Sequence, residues 1–250
     1  MPRSEVYNID CLEMMRGLPD KAFTLAIADP PYGIGADKPA KKPRVVRQKN
    51  GSFLPVAQND YGRKEWDSAI PSQEFFDELR RVSENQIIWG ANYFGLKGGM
   101  IVWDKMNGIC DQFGCEIAYQ SFDRRTDIVH YLWSGMLQGE TCSMDVNIAN
   151  RQRGNKQLNE SRIHPTQKPV ALYAWLLNRY ASDGASIFDP MMGSQSSRIA
   201  AYKLGLDYVG CEIDKEYFDK GCERFDHECH GIEHLKDGRT VVQQSLFDNF

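Results

Sequence analysis

The stretch IADPPYGIG, Ile27 to Gly35, ends an apolar run that begins at Phe23 with a carboxylate, two prolines and an aromatic ring. Proline donates no backbone N–H and restricts the residue before it, so a strand cannot continue its ladder through Asp29, Pro30, Pro31 and Tyr32. The segment is therefore expected to be a rigid loop projecting from the end of a strand.

Other short apolar runs have strand length: Val6 to Ile9, Gln86 to Trp89, Met100 to Trp103, Cys115 to Tyr119, Ile128 to Trp133, Ser186 to Phe188 and Tyr208 to Ile213. Between some of them lie residues at helical spacing: Phe75, Phe76, Leu79 and Val82; Leu172, Trp175, Leu176 and Tyr180; Ile199, Ala200, Lys203 and Leu204; Phe218, Cys222 and Phe225. This alternation predicts an α/β fold with a largely parallel sheet. With 250 residues, 42% apolar and 26% charged, the chain suits one such domain with insertions, or two small domains. No apolar run reaches the length of a membrane span, and MPRSEVYNIDC lacks the regions of a signal peptide, so a cytoplasmic protein without a membrane partner is expected. Seven scattered cysteines, an odd number, read as reduced thiols.

Net charge is −4, yet the basic residues are unevenly placed. From Gly33 to Lys64 stand Lys38, Lys41, Lys42, Arg44, Arg47, Lys49, Arg63 and Lys64 against only Asp37 and Asp60; a second stretch holds Arg151, Arg153, Lys156 and Arg162. Both read as polar loops, either plain solvated surface or sites for a phosphate backbone.

The segment SIFDPMMGSQSSRIAAYKLGLDYVGCEID, Ser186 to Asp214, reads as a strand, a tight turn with Gly193, a helix that Ser194 could cap and Gly205 could end, and a second strand closing on Glu212 and Asp214. Glu212 follows Asp189 by 23 residues, the spacing of a nucleotide-type βαβ unit whose second strand carries an acid for ribose hydroxyls. Alternatively Asp189 is a turn residue and Glu212 an exposed strand end; for Asp214, capping the next helix is the better reading.

DPPY (Asp29 to Tyr32), HPTQKP (His164 to Pro169) and FDPMMGS (Phe188 to Ser194) followed by GCEID resemble the motifs of S-adenosylmethionine-dependent DNA amino-methyltransferases. Their order is that of the family's circularly permuted β group. Four specified residues at ordinary usage meet by chance in roughly one chain in a thousand of this length. The resemblance spans about Val6 to Phe225. It implies a Rossmann-like, seven-stranded methyltransferase sheet in residues 1–235, with a basic insertion at 33–64, a target-recognition segment at 134–162 and a tail at 236–250. It places Asp10 near the cofactor's adenine amino group, unless Asp10 merely caps a helix from Cys11 to Arg16. His164, Thr166 and Lys168 would line the methionine end, and Asp189, Pro190, Met191, Gly193, Ser194 and Glu212 the rest of the cofactor pocket. Two departures stand out: Met191 where relatives carry an aromatic residue, and Gln195 where they carry glycine. Helical dihedrals at Gln195 would remove the need for glycine.

In this resemblance Asp29 and the Pro30 carbonyl accept hydrogen bonds from an exocyclic amino group, Pro30 and Pro31 stiffen the loop, and Tyr32 stacks on a base rotated out of the duplex. Asp in the first motif position points to adenine N6. Cytosine N4, RNA or protein amide nitrogen, and a binding protein that has lost efficient transfer are the alternatives; none of the seven cysteines follows a proline, which argues against carbon-5 chemistry. The expected partner is double-stranded DNA, held by Lys38, Lys41, Lys42, Arg44, Arg47, Arg151, Arg153 and Lys156, with Gln152, Asn155 and Gln157 suited to base edges. Gln243 to Phe247 resembles peptides that dock on the bacterial sliding clamp, unless the tail packs on its own domain; a homodimer is a further candidate assembly. Cys222, His227, Cys229, His230 and His234 match no common zinc spacing, and no metal is expected.

Overall fold

A computed structural model describes residues 1–36, 45–47, 52–55, 66–108, 113–134, 137–234 and 239–242. All eight apolar runs enter one sheet: β1 (Ser4–Tyr7), β2 (Phe23–Ala28), β3 (Ser83–Trp89), β4 (Gly99–Asp104), β5 (Cys115–Gln120), β6 (Thr126–His130), β7 (Ser186–Asp189) and β8 (Asp207–Cys211). Their order is β1-β8-β7-β2-β3-β5-β4-β6. Every neighbouring pair is parallel except those of β5, which runs against both β3 and β4. The α/β class is the expected one. The sheet has eight strands instead of seven because Thr126–His130 pairs along β4 as an added edge.

Several strand limits differ from expectation, two of them with a visible cause. The first ends at Tyr7, not Ile9, because the Asn8 side chain turns to donate to the Glu212 and Ile213 carbonyls. The run Ile128 to Trp133 divides: β6 stops at His130, where its partner β4 ends, and Trp133–Ser134 pairs instead with Leu137–Gln138.

Helices cover both faces, which is why the strands read as nearly continuous apolar runs. Leu25, Ile27, Ile87, Trp89, Ile101, Ile187 and Tyr208 pack with α3 (Val170–Tyr180) and α4 (Ser196–Lys203), while Ala26, Ala28, Ile88, Phe188, Val209 and Cys211 pack with α1 (Cys11–Arg16) and α2 (Gln73–Val82). Asp10 and Ser72 cap α1 and α2 through their side chains, and Asp214 caps α5 (Lys215–Phe225). Helix α3 starts behind Pro169, and its Val170 N–H donates to the carboxylate of Glu160 from a distant loop. Ser194 does not cap α4. The cap position is Gln195, whose left-handed backbone (φ 59°, ψ 24°) turns the chain into the helix one residue later, and Gly205 (φ +73°) follows the helix as expected.

The chain leaves β7 toward β8 and leaves β2 toward β3, so the loops after these adjacent parallel strands diverge. Such a reversal opens a crevice at the carboxyl ends of the strands, the place where open α/β sheets bind ligands. Asp29 and Asp189 stand at the two strand ends that flank it.

The turn after β5 constrains the opposite part of the sheet. Gln120 is buried, its Nε2 donating to Asp123 Oδ1 at 2.6 Å, and a Cβ on Gly99 would lie 1.9 Å from that nitrogen and 2.3 Å from the Asp123 carbonyl oxygen. Backbone cannot yield cheaply at that distance. Gly99→Ala is expected to destabilise the fold by about 2–3 kcal/mol, read as a lower urea midpoint with an unchanged slope.

Candidate active site

The loop Asp29 to Tyr32 is fixed from several sides. Asp67, buried in the segment that follows the basic insertion, accepts from the Gly33 N–H through Oδ1 at 2.8 Å and from the Ala36 N–H through Oδ2 at 2.6 Å. The Tyr32 ring stacks on Tyr93 with centroids 4.9 Å apart, and Phe94 meets its edge at 6.1 Å. Gly90 lets it sit there, since a Cβ at that residue would lie 2.4 Å from Tyr32 Cε1, and its φ of +77° also favours glycine. One face of the ring is thus occupied within the chain itself.

Lys168 joins this loop to β5. Its ammonium, with a side chain only 2% exposed, lies 2.5 Å from Asp29 Oδ1 and 3.0 Å from Glu116 Oε2, and donates to the Tyr32 hydroxyl at 3.1 Å. The one proton of the Tyr32 hydroxyl has two carboxylate acceptors within reach, Asp29 Oδ1 at 2.8 Å and Glu116 Oε2 at 3.1 Å. Lys105 closes the cluster 2.5 Å from Glu116 Oε1. Two carboxylates and two ammoniums balance. Burial raises the Asp29 carboxyl above its usual range, with the Glu116 charge adding to it and Lys168 opposing it. Burial would raise Glu116 too, but its two lysines outweigh that and hold it down to about 2. Asp29 Oδ2 has no hydrogen-bond partner among the described residues. One oxygen of this carboxylate is locked, and the other is unpaired among the described residues.

Two cavities meet here. The first, of about 250 Å³, runs along the ends of β1, β7 and β8; the second, of about 740 Å³, lies toward β3, β4 and β5. Asp29, Pro31, Trp66, Thr166, Gln167 and Lys168 line both.

In the first cavity the structure gathers Asp10, His164, Thr166, Lys168, Pro190, Met191, Gly193, Ser194 and Glu212. Asp10 caps α1, its Oδ1 accepting from the Leu12 and Glu13 N–H groups, and also lines the cavity, where Oδ2 has no such partner among the described residues. Glu212 accepts from Gly193 N–H through Oε2 and from Asp214 N–H through Oε1, both at 2.9 Å. A carboxylate has about four lone-pair sites, so capacity remains for a further donor. Burial raises this carboxyl against those N–H bonds. His164 contacts Tyr217 at 4.3 Å and Trp66 at 5.1 Å; burial, then the Lys168 charge, pushes its pKa down to about 3, so the ring is neutral. Asp189 departs from expectation by standing behind the cavity wall. Its carboxylate accepts from Met191 N–H and Ser197 Oγ, because a buried turn must satisfy its own N–H groups, and it shapes the loop without facing the space.

Pro30 and Tyr32 line the second cavity, with Trp66, Tyr93, Trp103, Phe113 and Trp133 as further aromatic walls. Arg162 also lines it, its guanidinium 4.3 Å over the Trp133 ring. Of the basic residues expected to meet DNA, Arg151 and Lys156 are exposed, and Arg153 is half-buried and donates to the Leu158 carbonyl, bracing its own loop. Arg47 belongs to a short strand, Val45–Arg47, paired with Phe53–Pro55, so that part of the insertion is not plain loop. Lys38, Lys41, Lys42, Arg44 and the tail Gln243 to Phe250 lie outside the described residues.

Glu116, Lys105, Asp67, Trp66 and Gly90 escaped the sequence reading. The one available signal was Glu116, a lone carboxylate in the otherwise uncharged strand CEIAYQ.

Comparison with known proteins gives a consistent picture. Residues 88–223 match a family model, N6_N4_Mtase, described as DNA methylase. YubD of Escherichia coli (strain K12), a methylase by name, is 24% identical over 216 residues, 86% of this chain and 87% of its own. The type II methyltransferase M.HpaI of Haemophilus parainfluenzae is 34% identical over 85 residues, 34% of this chain and 27% of its own. Among solved structures, the cytosine-N4-specific PvuII DNA methyltransferase superposes with a TM-score of 0.51 at 13% identity, over 90% of this chain and 87% of that one, a likeness of fold.

Two predictions test the site's electrostatics. Glu116→Gln strips Lys105 of its carboxylate and leaves Lys168 with Asp29 alone, and is expected to cost about 2–3 kcal/mol in urea unfolding, with partial recovery on adding Lys105→Met. Asp189 is pushed up to about 7 by burial, against the bonds from Ser197 and Met191. The native chain then keeps a proton that the unfolded chain, with its carboxyl near 4, has released. That contribution is full below about pH 4 and lost as pH rises to about 7, so Asp189→Asn should flatten the fall of stability across this window in unfolding titrations.

Proposed function

We propose, for a chain that belongs to the N6/N4 DNA methylase family, that it transfers a methyl group to the N6 amino nitrogen of adenine in a base rotated out of double-stranded DNA. The observation that carries this reading is the Asp29 carboxylate, locked at Oδ1 by Lys168 and Tyr32 and unpaired at Oδ2 among the described residues, at the junction of two cavities. A transferase needs one chamber for the donor and one for the acceptor, meeting at the group that orients the nucleophile.

S-adenosylmethionine suits the first cavity. The spare acceptor capacity of Glu212 fits a ribose hydroxyl, and Asp10 Oδ2 can take an adenine amino N–H. Gly193 adds a cradle, since a Cβ there would project toward His164 at 3.9 Å, into the cavity. When bound, the cofactor supplies an electrophilic sulfonium methyl.

The chain's own residues prepare the acceptor. An exocyclic amino group on a heteroaromatic ring is a poor nucleophile because its lone pair is delocalised, so it must be drawn toward tetrahedral geometry. Asp29 Oδ2 and the Pro30 carbonyl accept its two N–H bonds and stabilise the positive charge that grows on nitrogen during transfer. Lys168 opposes the effect of burial on Asp29 and so favours its ionised, strongly accepting form, and Glu116 with Lys105 holds that ammonium in place. The aromatic second cavity supports an extruded base, with Tyr32 offering the face that Tyr93 does not cover. Exposed Arg151 and Lys156 are proposed to meet the phosphate backbone.

Methyl transfer from labelled S-adenosylmethionine to unmethylated genomic DNA, followed by nucleoside digestion, tests the reading. N6-methyladenine is the expected product, and Asp29→Ala should lower its rate at least about a hundredfold, as loss of an orienting acceptor does. N4-methylcytosine as the product would overturn the adenine assignment.

A further inference from the structure

Two residues break local rules within contact distance of one another. Gln195 is a fully buried non-glycine residue at φ 59°, ψ 24°, a region that L-residues enter at a cost. Gly221 sits inside α5, where glycine is a poorer helix former than alanine. Each explains the other. A Cβ on Gly221 would lie 2.6 Å from Gln195 Nε2, 2.7 Å from its Cγ and 2.8 Å from its Cδ.

The amide that fills this space is bonded at both ends. Nε2 donates to the Phe218 carbonyl at 3.2 Å and to Cys222 Sγ at 3.3 Å, while Oε1 accepts from Arg198 Nη1 at 2.8 Å. Arg198 in turn reaches β1, donating to Ser4 Oγ at 2.9 Å. Through its backbone Gln195 closes the loop, N–H to the Met192 carbonyl at 2.7 Å and carbonyl from Ile199 N–H at 3.0 Å. Gly193, Ser194 and Ser196, its neighbours within two residues, all line the first cavity.

We propose that Gln195 and Gly221 form a lock and socket that sets the height of the loop after β7 against α5, making Gln195 a positioning residue for the methyl-donor pocket. The side-chain amide takes over the placing of a loop that glycine would otherwise shape through backbone freedom alone. The proposal rests on the reading that this cavity holds S-adenosylmethionine.

The test is a double-mutant cycle on the full chain, Gly221→Ala, Gln195→Gly and both together. Its readouts are calorimetric affinity for S-adenosylmethionine, its KM and kcat in DNA methylation, and the Tm of the ligand-free protein. Overpacking of this kind costs about 1–3 kcal/mol, so Gly221→Ala should raise the Kd and KM for S-adenosylmethionine about tenfold with kcat at saturation little changed. It should also lower Tm, although alanine is the better helix former. The double variant should return to within about threefold of wild type, because glycine at 195 vacates the socket and tolerates the left-handed backbone. Wild-type affinity in Gly221→Ala, or a double variant no better than Gly221→Ala, would overturn the proposal. A wild type that binds no S-adenosylmethionine would count against the proposed function instead, and the Tm cycle would then decide the lock: rescue in the double variant supports it, additive losses dismiss it.

Discussion

The arrangement depends on one buried ammonium. Lys168 is almost without solvent, and a cation in that state must find its partners inside the chain. It finds Asp29 from the end of β2, Glu116 from the start of β5 and the Tyr32 hydroxyl between them, drawing together three segments far apart in sequence. The reversed strand matters here. Because β5 runs against its neighbours, its first residues lie at the edge where the parallel strands end, and Glu116 is delivered to the same place as Asp29. The cluster therefore ties the geometry of the reactive carboxylate to the topology of the sheet.

Much of this was legible in the sequence, and the parts that were not share a cause. All eight runs of apolar residues became strands of the main sheet, and Phe75, Phe76, Leu79 and Val82 face the core on α2 as their spacing requires. Asp10, Asp214 and Gly205 sit where local rules of helix ends put them. Contacts set by distant pairing stayed hidden. Nothing in CEIAYQ says that its glutamate will meet Lys168, and nothing near Trp66 says that Asp67 will clamp the loop after Tyr32. Asp189 looked like a ligand contact, but it is buried with both oxygens turned to its chain neighbours. The expectation of helical dihedrals at Gln195 failed for a related reason: a side chain tied to α5 and Arg198 can hold a backbone conformation that local preference disfavours.

The two core layers also divide labour. The α1 and α2 side packs Phe, Met and small residues beneath Ala26 and Ala28, while the α3 and α4 side carries the tryptophans and tyrosines that continue into the second cavity. Trp103 and Trp133 belong at once to the core and to the cavity wall, so the site on that side is an opening in the core and not an added surface feature.

Glu160 gives the last consequence. Its carboxylate receives Val170 N–H at the start of α3 and pairs at 3.0 Å with buried Arg224, whose Nη1 donates to the Ser194 carbonyl and to Ser196 Oγ. Its backbone is held by both ends of the Gln138 amide. The segment 134–162 is thus not an interchangeable appendage. A graft that replaces it from a relative has to carry a glutamate at the position of Glu160 and a glutamine at that of Gln138, or it will leave Arg224 with Glu228 as its one carboxylate among the described residues and disturb the first cavity, which no grafted residue touches.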